Sequence, residues 1–154
     1  MKLYLIQHGI SLSEKEDPQK PLTPEGIGQT EKVAEFLKRN NITVDSLWHS
    51  NKLRAIQTAQ IISQNLNFKE IRQREDLAPL EPVNKIAYEI LSLNKDLMIV
   101  GHLPFLAKLA NLLLINREEP SLISFKNSGV VVLEYDGREF RLCWFIVPEL
   151  LGGF

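Results

Sequence analysis

Two four-residue runs, Leu3-Tyr4-Leu5-Ile6 and Leu97-Met98-Ile99-Val100, are apolar at every position instead of alternating. A strand with one face in water alternates apolar and polar residues, whereas an unbroken run needs cover on both faces, as in a parallel sheet between helices. The rest of the chain supplies that cover. Thr23 as cap and Pro24 at the first helical position predict a helix with Val33, Phe36 and Leu37 on its apolar stripe, stopped at Asn40-Asn41. Ser50 is expected to cap a second helix carrying Leu53, Ile56, Ala59, Ile61 and Ile62. A third is predicted from Val83 to Asn94, and a fourth opens at Pro104 and ends at Asn116 or Arg117. Short strands are predicted at Ser46 to His49 and over 70–73. Gly129 to Tyr135 and Glu139 to Val147 are β-rich and flank Asp136-Gly137, a dipeptide that favours a type I′ hairpin. The pattern predicts one α/β domain over 1–154, a mostly parallel sheet with helices on both faces and an antiparallel edge hairpin.

At 154 residues, with 44% hydrophobic and 24% charged side chains, the chain can fold around a single core. Its 18 Lys and Arg against 19 Asp and Glu give a net charge of −1. No long block of either sign is present, which argues against a nucleic-acid arm or a polybasic membrane anchor. No apolar run approaches a membrane span, and a cytoplasmic protein is expected. The single cysteine, Cys143, cannot form an internal disulfide, and its strand-like surroundings predict a buried apolar position in a reducing compartment.

Only three histidines are present, and His8 and His102 each stand just beyond an apolar strand. Carboxyl ends of strands line the ligand crevice of an open α/β sheet. Ser50-Asn51-Lys52-Leu53-Arg54 runs from another strand end into a helix N-terminus, where backbone N–H groups and the helix dipole favour an anion. Two imidazoles beside an arginine suit phosphoryl transfer: a neutral imidazole attacks phosphorus, and cationic donors meet the charge on its oxygens. Neither cofactor nor metal is required. A metal site made of His8, His49 and His102 has no supporting ligand spacing. His49 is read as closing a strand end, and Trp48 and Trp144 as core.

The ordered set His8-Gly9, Leu53-Arg54-Ala55-Ile56-Gln57-Thr58-Ala59 and Gly101-His102 resembles the histidine phosphatase superfamily, also called phosphoglycerate-mutase-like. Lys20-Pro21-Leu22-Thr23 with Gly26, Ser50 before the Leu-Arg-Ala run, and His102-Leu103-Pro104 narrow the resemblance to the short SixA-type phosphohistidine phosphatases. The resemblance implies a three-layer α/β/α sandwich and metal-independent catalysis. It makes His8 the nucleophile, with Arg54 and His102 binding the transferring phosphoryl group and Gln7, Gly9, Ser11 and Ser50 around it. Without insertions to close over a small molecule, the expected partner is a protein carrying phosphohistidine, with a small phosphate ester as the alternative.

The family's first motif reads Arg-His-Gly, whereas this chain has Gln7-His8-Gly9. One cation of the phosphate clamp is therefore missing, and charge-assisted hydrogen bonds are about twice as strong as neutral ones. Lys20, Lys52 and Arg74 are the candidates to replace it; otherwise the chain is a phosphate-binding pseudophosphatase. Glu75, Asp76 and Glu81 are the local candidates for a general acid. The apolar tail, Pro148 to Phe154, either packs back on the domain or meets a second subunit, and the oligomeric state is open.

Overall fold

The computed structural model describes residues 1–152. Strands β1 (Lys2–Gln7), β2 (Ser46–Ser50), β3 (Glu70–Arg74), β4 (Leu97–Gly101), β5 (Val130–Tyr135) and β6 (Phe140–Ile146) form one sheet in the order β3-β2-β4-β1-β5-β6. The first four run parallel, β5 lies antiparallel against β1, and β6 closes the sheet as an antiparallel edge. Helices α1 (Pro24–Arg39) and α2 (Leu53–Ser63) cover one face; α3 (Asn84–Leu93) and α4 (Phe105–Ile115) cover the other. The unbroken apolar runs are explained by this sandwich. Leu3, Leu5, Leu97 and Ile99 face α3 and α4, while Tyr4, Ile6, Met98 and Val100 face α1 and α2, all buried.

Thr23 caps α1 through its Oγ1, which accepts from the Gly26 N–H at 2.9 Å, and Pro24 follows at the first position. Gly26 is needed there because a Cβ would lie 2.2 Å from the Ile10 carbonyl oxygen, so helix and loop backbones touch. Asn94 and Asn116, both in the left-handed region, terminate α3 and α4.

Three expectations are corrected. The residue before α2 is Lys52, with no side-chain cap, because β2 continues through Ser50 and its hydroxyl is committed elsewhere. The hairpin turn is not type I′, since only Gly137 has positive φ; Tyr135 pairs with Phe140, and Asp136 Oδ1 accepts from the Arg138 and Glu139 N–H groups across a longer turn. Cys143 is exposed, because it is the extra residue where β6 bulges between the Val132–Trp144 and Leu133–Leu142 pairs on the sheet edge. Of the tail, Pro148 is buried and Leu151 packs on the α1/α2 side, while Leu150 is exposed; Gly153 and Phe154 lie outside the described residues.

Candidate active site

The carboxyl ends of β1, β2 and β4 bring His8, Ser50 and His102 together. In the sheet Gln7 is level with Gly101, and the His8 N–H donates to the Gly101 carbonyl at 3.0 Å. The two imidazoles consequently face each other with ring centres 5.1 Å apart. His8 Nδ1 lies 2.7 Å from the Gly9 carbonyl oxygen. A carbonyl only accepts, so Nδ1 carries the proton and Nε2 keeps its lone pair. His102 Nε2 is bonded to Ser50 Oγ at 2.8 Å, and its Nδ1 is buried without a partner among the described residues.

Electrostatics keep both rings neutral. Burial, with Arg54 and Lys20 nearby, lowers the His8 pKa to about 4 despite the Gly9 bond, and burial, His8, Arg54, Lys52 and Lys20 lower that of His102 to about 3. Unfolding restores ordinary values near 6.5, so the unfolded chain binds more protons between those limits. Stability is therefore expected to fall as pH drops from about 6.5 towards about 4. Urea midpoints measured across that range check this, and a flat profile contradicts it.

The Leu53–Ala59 segment is legible part by part. Arg54, half-buried in the first turn of α2, has no carboxylate partner among the described residues, and burial lowers its pKa. Gln57 Oε1 accepts from the Leu22 N–H at 2.7 Å, holding the loop after β1. Thr58 Oγ1 accepts from the Gly9 N–H at 3.0 Å and donates to the Arg54 carbonyl, tying the His8 loop to the turn that carries Arg54. Gly9 itself leaves no room for a side chain, since a Cβ would stand 2.9 Å from Thr30 Oγ1.

Lys20, Lys52 and Arg54 line one open cleft of about 580 Å³, with Glu14 as its acidic member. Arg74 is not available to replace the charge missing at Gln7. It is buried over the Trp48 ring at 4.5 Å, with its guanidinium donating to both carboxylate oxygens of Asp76 and of Glu89. The same network occupies Asp76, which also meets Lys85 at 3.2 Å. Glu75 and Glu81 are exposed, and among the described residues no carboxylate bonds either His8 or His102. His49 Nδ1 is bonded to the Ser50 carbonyl, Trp48 is core, and Trp144 packs edge-on against Tyr4 and Phe36. Ser11 is half-buried and forms an isolated bridge with Leu22; Gln7 Oε1 is buried without a partner.

Some residues of the site carry no motif. Asn127 Nδ2 donates to the His8 carbonyl at 2.9 Å, and the Ser128 N–H donates to the Gln7 carbonyl at 2.9 Å. Ser128 Oγ meets Thr30 Oγ1 at 2.8 Å. They come from the loop before β5, more than a hundred residues away, and only pairing of β5 with β1 brings them here.

The histidine phosphatase superfamily (branch 1) model matches residues 3–82. The chain belongs to that superfamily. His8 and Arg54 fall inside the matched residues and His102 beyond them. Phosphohistidine phosphatase SixA of Escherichia coli is 24% identical over 154 residues, covering 96% of this chain and 94% of its own. Among solved structures, the protein histidine phosphatase SixA complexed with tungstate superposes with a TM-score of 0.87 at 23% identity, over 99% of this chain and 100% of that one. A phosphoserine phosphatase of Entamoeba histolytica, complexed with 3-phosphoglyceric acid, gives 0.71 at 23% identity, over 94% of this chain and 95% of that one. These two likenesses establish the fold, a three-layer sandwich that hosts proteins named for different substrates. Among the described residues no helix is long and apolar enough to cross a membrane.

Proposed function

We propose that this histidine phosphatase superfamily member removes the phosphoryl group from phosphohistidine on another protein, without a metal, through a phosphorylated His8. The observation that carries this reading is the His8–Gly9 bond, which leaves Nε2 as a free lone pair beside a second imidazole and near the Arg54 guanidinium, which has no carboxylate partner among the described residues. His8 Nε2 attacks phosphorus as the bond to the substrate nitrogen breaks. A phosphohistidine whose ring is protonated leaves as neutral imidazole, so this step needs no proton from the enzyme. Water then adds to phosphorus, both its protons leave with the phosphate, and His8 departs neutral. The lack of a carboxylate bonded to the two imidazoles among the described residues suits such a leaving group better than an alkoxide, which must be protonated as it leaves. The open, cation-lined cleft suits a group presented on a protein surface.

Gln7 sets the rate in this reading. A transition-state donor is typically worth about a hundred- to a thousandfold, and an amide supplies less than a guanidinium. Gln7→Arg is expected to raise phosphate release from a phosphohistidine-bearing protein by about tenfold or more, with the wild-type rate unchanged by chelator. Faster release from a sugar phosphate than from phosphohistidine would refute the substrate assignment. An inert wild type with an active Gln7→Arg variant would show a site that binds phosphate without turning it over.

A further inference from the structure

Ser50 has no exposed surface, and its hydroxyl stands between two nitrogens: the Lys52 backbone N–H at 3.2 Å and His102 Nε2 at 2.8 Å. A hydroxyl has one proton to give and two lone pairs to accept with. The Lys52 N–H can only donate, so it occupies a lone pair. If Nε2 also donated, the Ser50 proton would have no acceptor, which is costly for a hydroxyl with no exposed surface. The arrangement that satisfies the hydroxyl, the Lys52 N–H and Nε2 together has the Ser50 hydroxyl donating to Nε2. The proton of the neutral His102 ring then resides on Nδ1, the buried atom without a partner.

Resting on the phosphatase reading above, we propose that Ser50 is a positioning residue that fixes His102 in its Nδ1–H form, so that the ring offers a donor to the phosphoryl oxygens. The opposite tautomer would turn a lone pair towards a group made of lone pairs. His8 is held in the same tautomer by a different partner, since the Gly9 carbonyl accepts from its Nδ1–H and leaves the Nε2 lone pair free to attack. Two neutral imidazoles 5.1 Å apart are thus given different jobs by one acceptor and one donor. Ser50 acts on phosphate only through His102, which explains why a residue with no exposed surface stands at the head of the Arg54 segment.

The wild-type protein, labelled with ¹⁵N-histidine, tests this directly at neutral pH. The proposal expects His102 to show a protonated Nδ1 and an unprotonated Nε2, and His8 the same pair of states. A His102 ring protonated on Nε2 overturns it, whether or not any variant folds. In Ser50→Ala the His102 signals should move towards the Nε2–H form, and the affinity for inorganic phosphate should weaken about tenfold. Ser50→Cys, which keeps a weak donor, should fall between alanine and wild type. Unchanged tautomer and phosphate affinity in a folded Ser50→Ala overturns the assignment. Because tautomer and phosphate affinity are read without turnover, a protein inert towards phosphohistidine would refute the phosphatase reading and leave the Ser50 result standing.

Discussion

Replacing His8 with alanine is expected to abolish phosphate release, a loss of roughly 10⁴-fold or more, as for removal of a covalent nucleophile elsewhere. No neighbouring group can take over. His102 has one nitrogen engaged by Ser50, and His49 is engaged by the Ser50 carbonyl. The exposed Glu75 and Glu81 bond neither imidazole. The same substitution should remove an acid-labile, alkali-stable phosphate from protein quenched during turnover, the signature of a phosphoramidate. The fold should tolerate the change, since His8 is only half-buried and its loop is held by the backbone bonds of Gly9 and Ser128. Labelled phosphate retained on the alanine variant would place the nucleophile elsewhere.

Arg54→Ala is expected to cost about a hundred- to a thousandfold in kcat/KM, the usual effect of losing one preorganised transition-state donor. The effect should sit at the upper end of that range, because Gln7 already withholds one cation and Arg74 is held by Asp76 and Glu89. Lys20 and Lys52, the remaining cations of the cleft, present point charges instead of a planar fork, so Arg54→Lys should recover only part of the loss. The measurement is kcat/KM for phosphohistidine hydrolysis in the two variants, alone and combined with Gln7→Arg. An Arg54→Ala enzyme within a few fold of wild type would remove Arg54 from the phosphoryl clamp.

The fold was legible because its strongest signals are local. An unbroken apolar strand needs two covered faces, and Thr23-Pro24 and the asparagines at 94 and 116 mark where helices begin or stop. The edge hairpin was legible as strands but not as a turn, since the four residues from Asp136 to Glu139 form the connection where two were expected. Cys143 is exposed for a comparable reason: a bulge shifts side-chain alternation by one residue, which no periodicity displays in advance.

For the site, the order of residues alone places His8 and His102 just beyond apolar strands and Ser50 at a strand end that leads into the helix carrying Arg54. What each has for neighbours is set by contacts between distant parts of the chain. Arg74 looks as free as Lys20 in the chain, but the fold brings Glu89 of α3 to it, fifteen residues on. Asn127 and Ser128 became supports of the His8 loop because β5 returns beside β1. The protons of His8 and His102 depend on a carbonyl one residue away in one case and a hydroxyl 52 residues away in the other. Hydrophobic periodicity is written along the chain, whereas hydrogen bonds and electrostatic fields act through space, so the sequence specified the fold and the structure specified the chemistry within it.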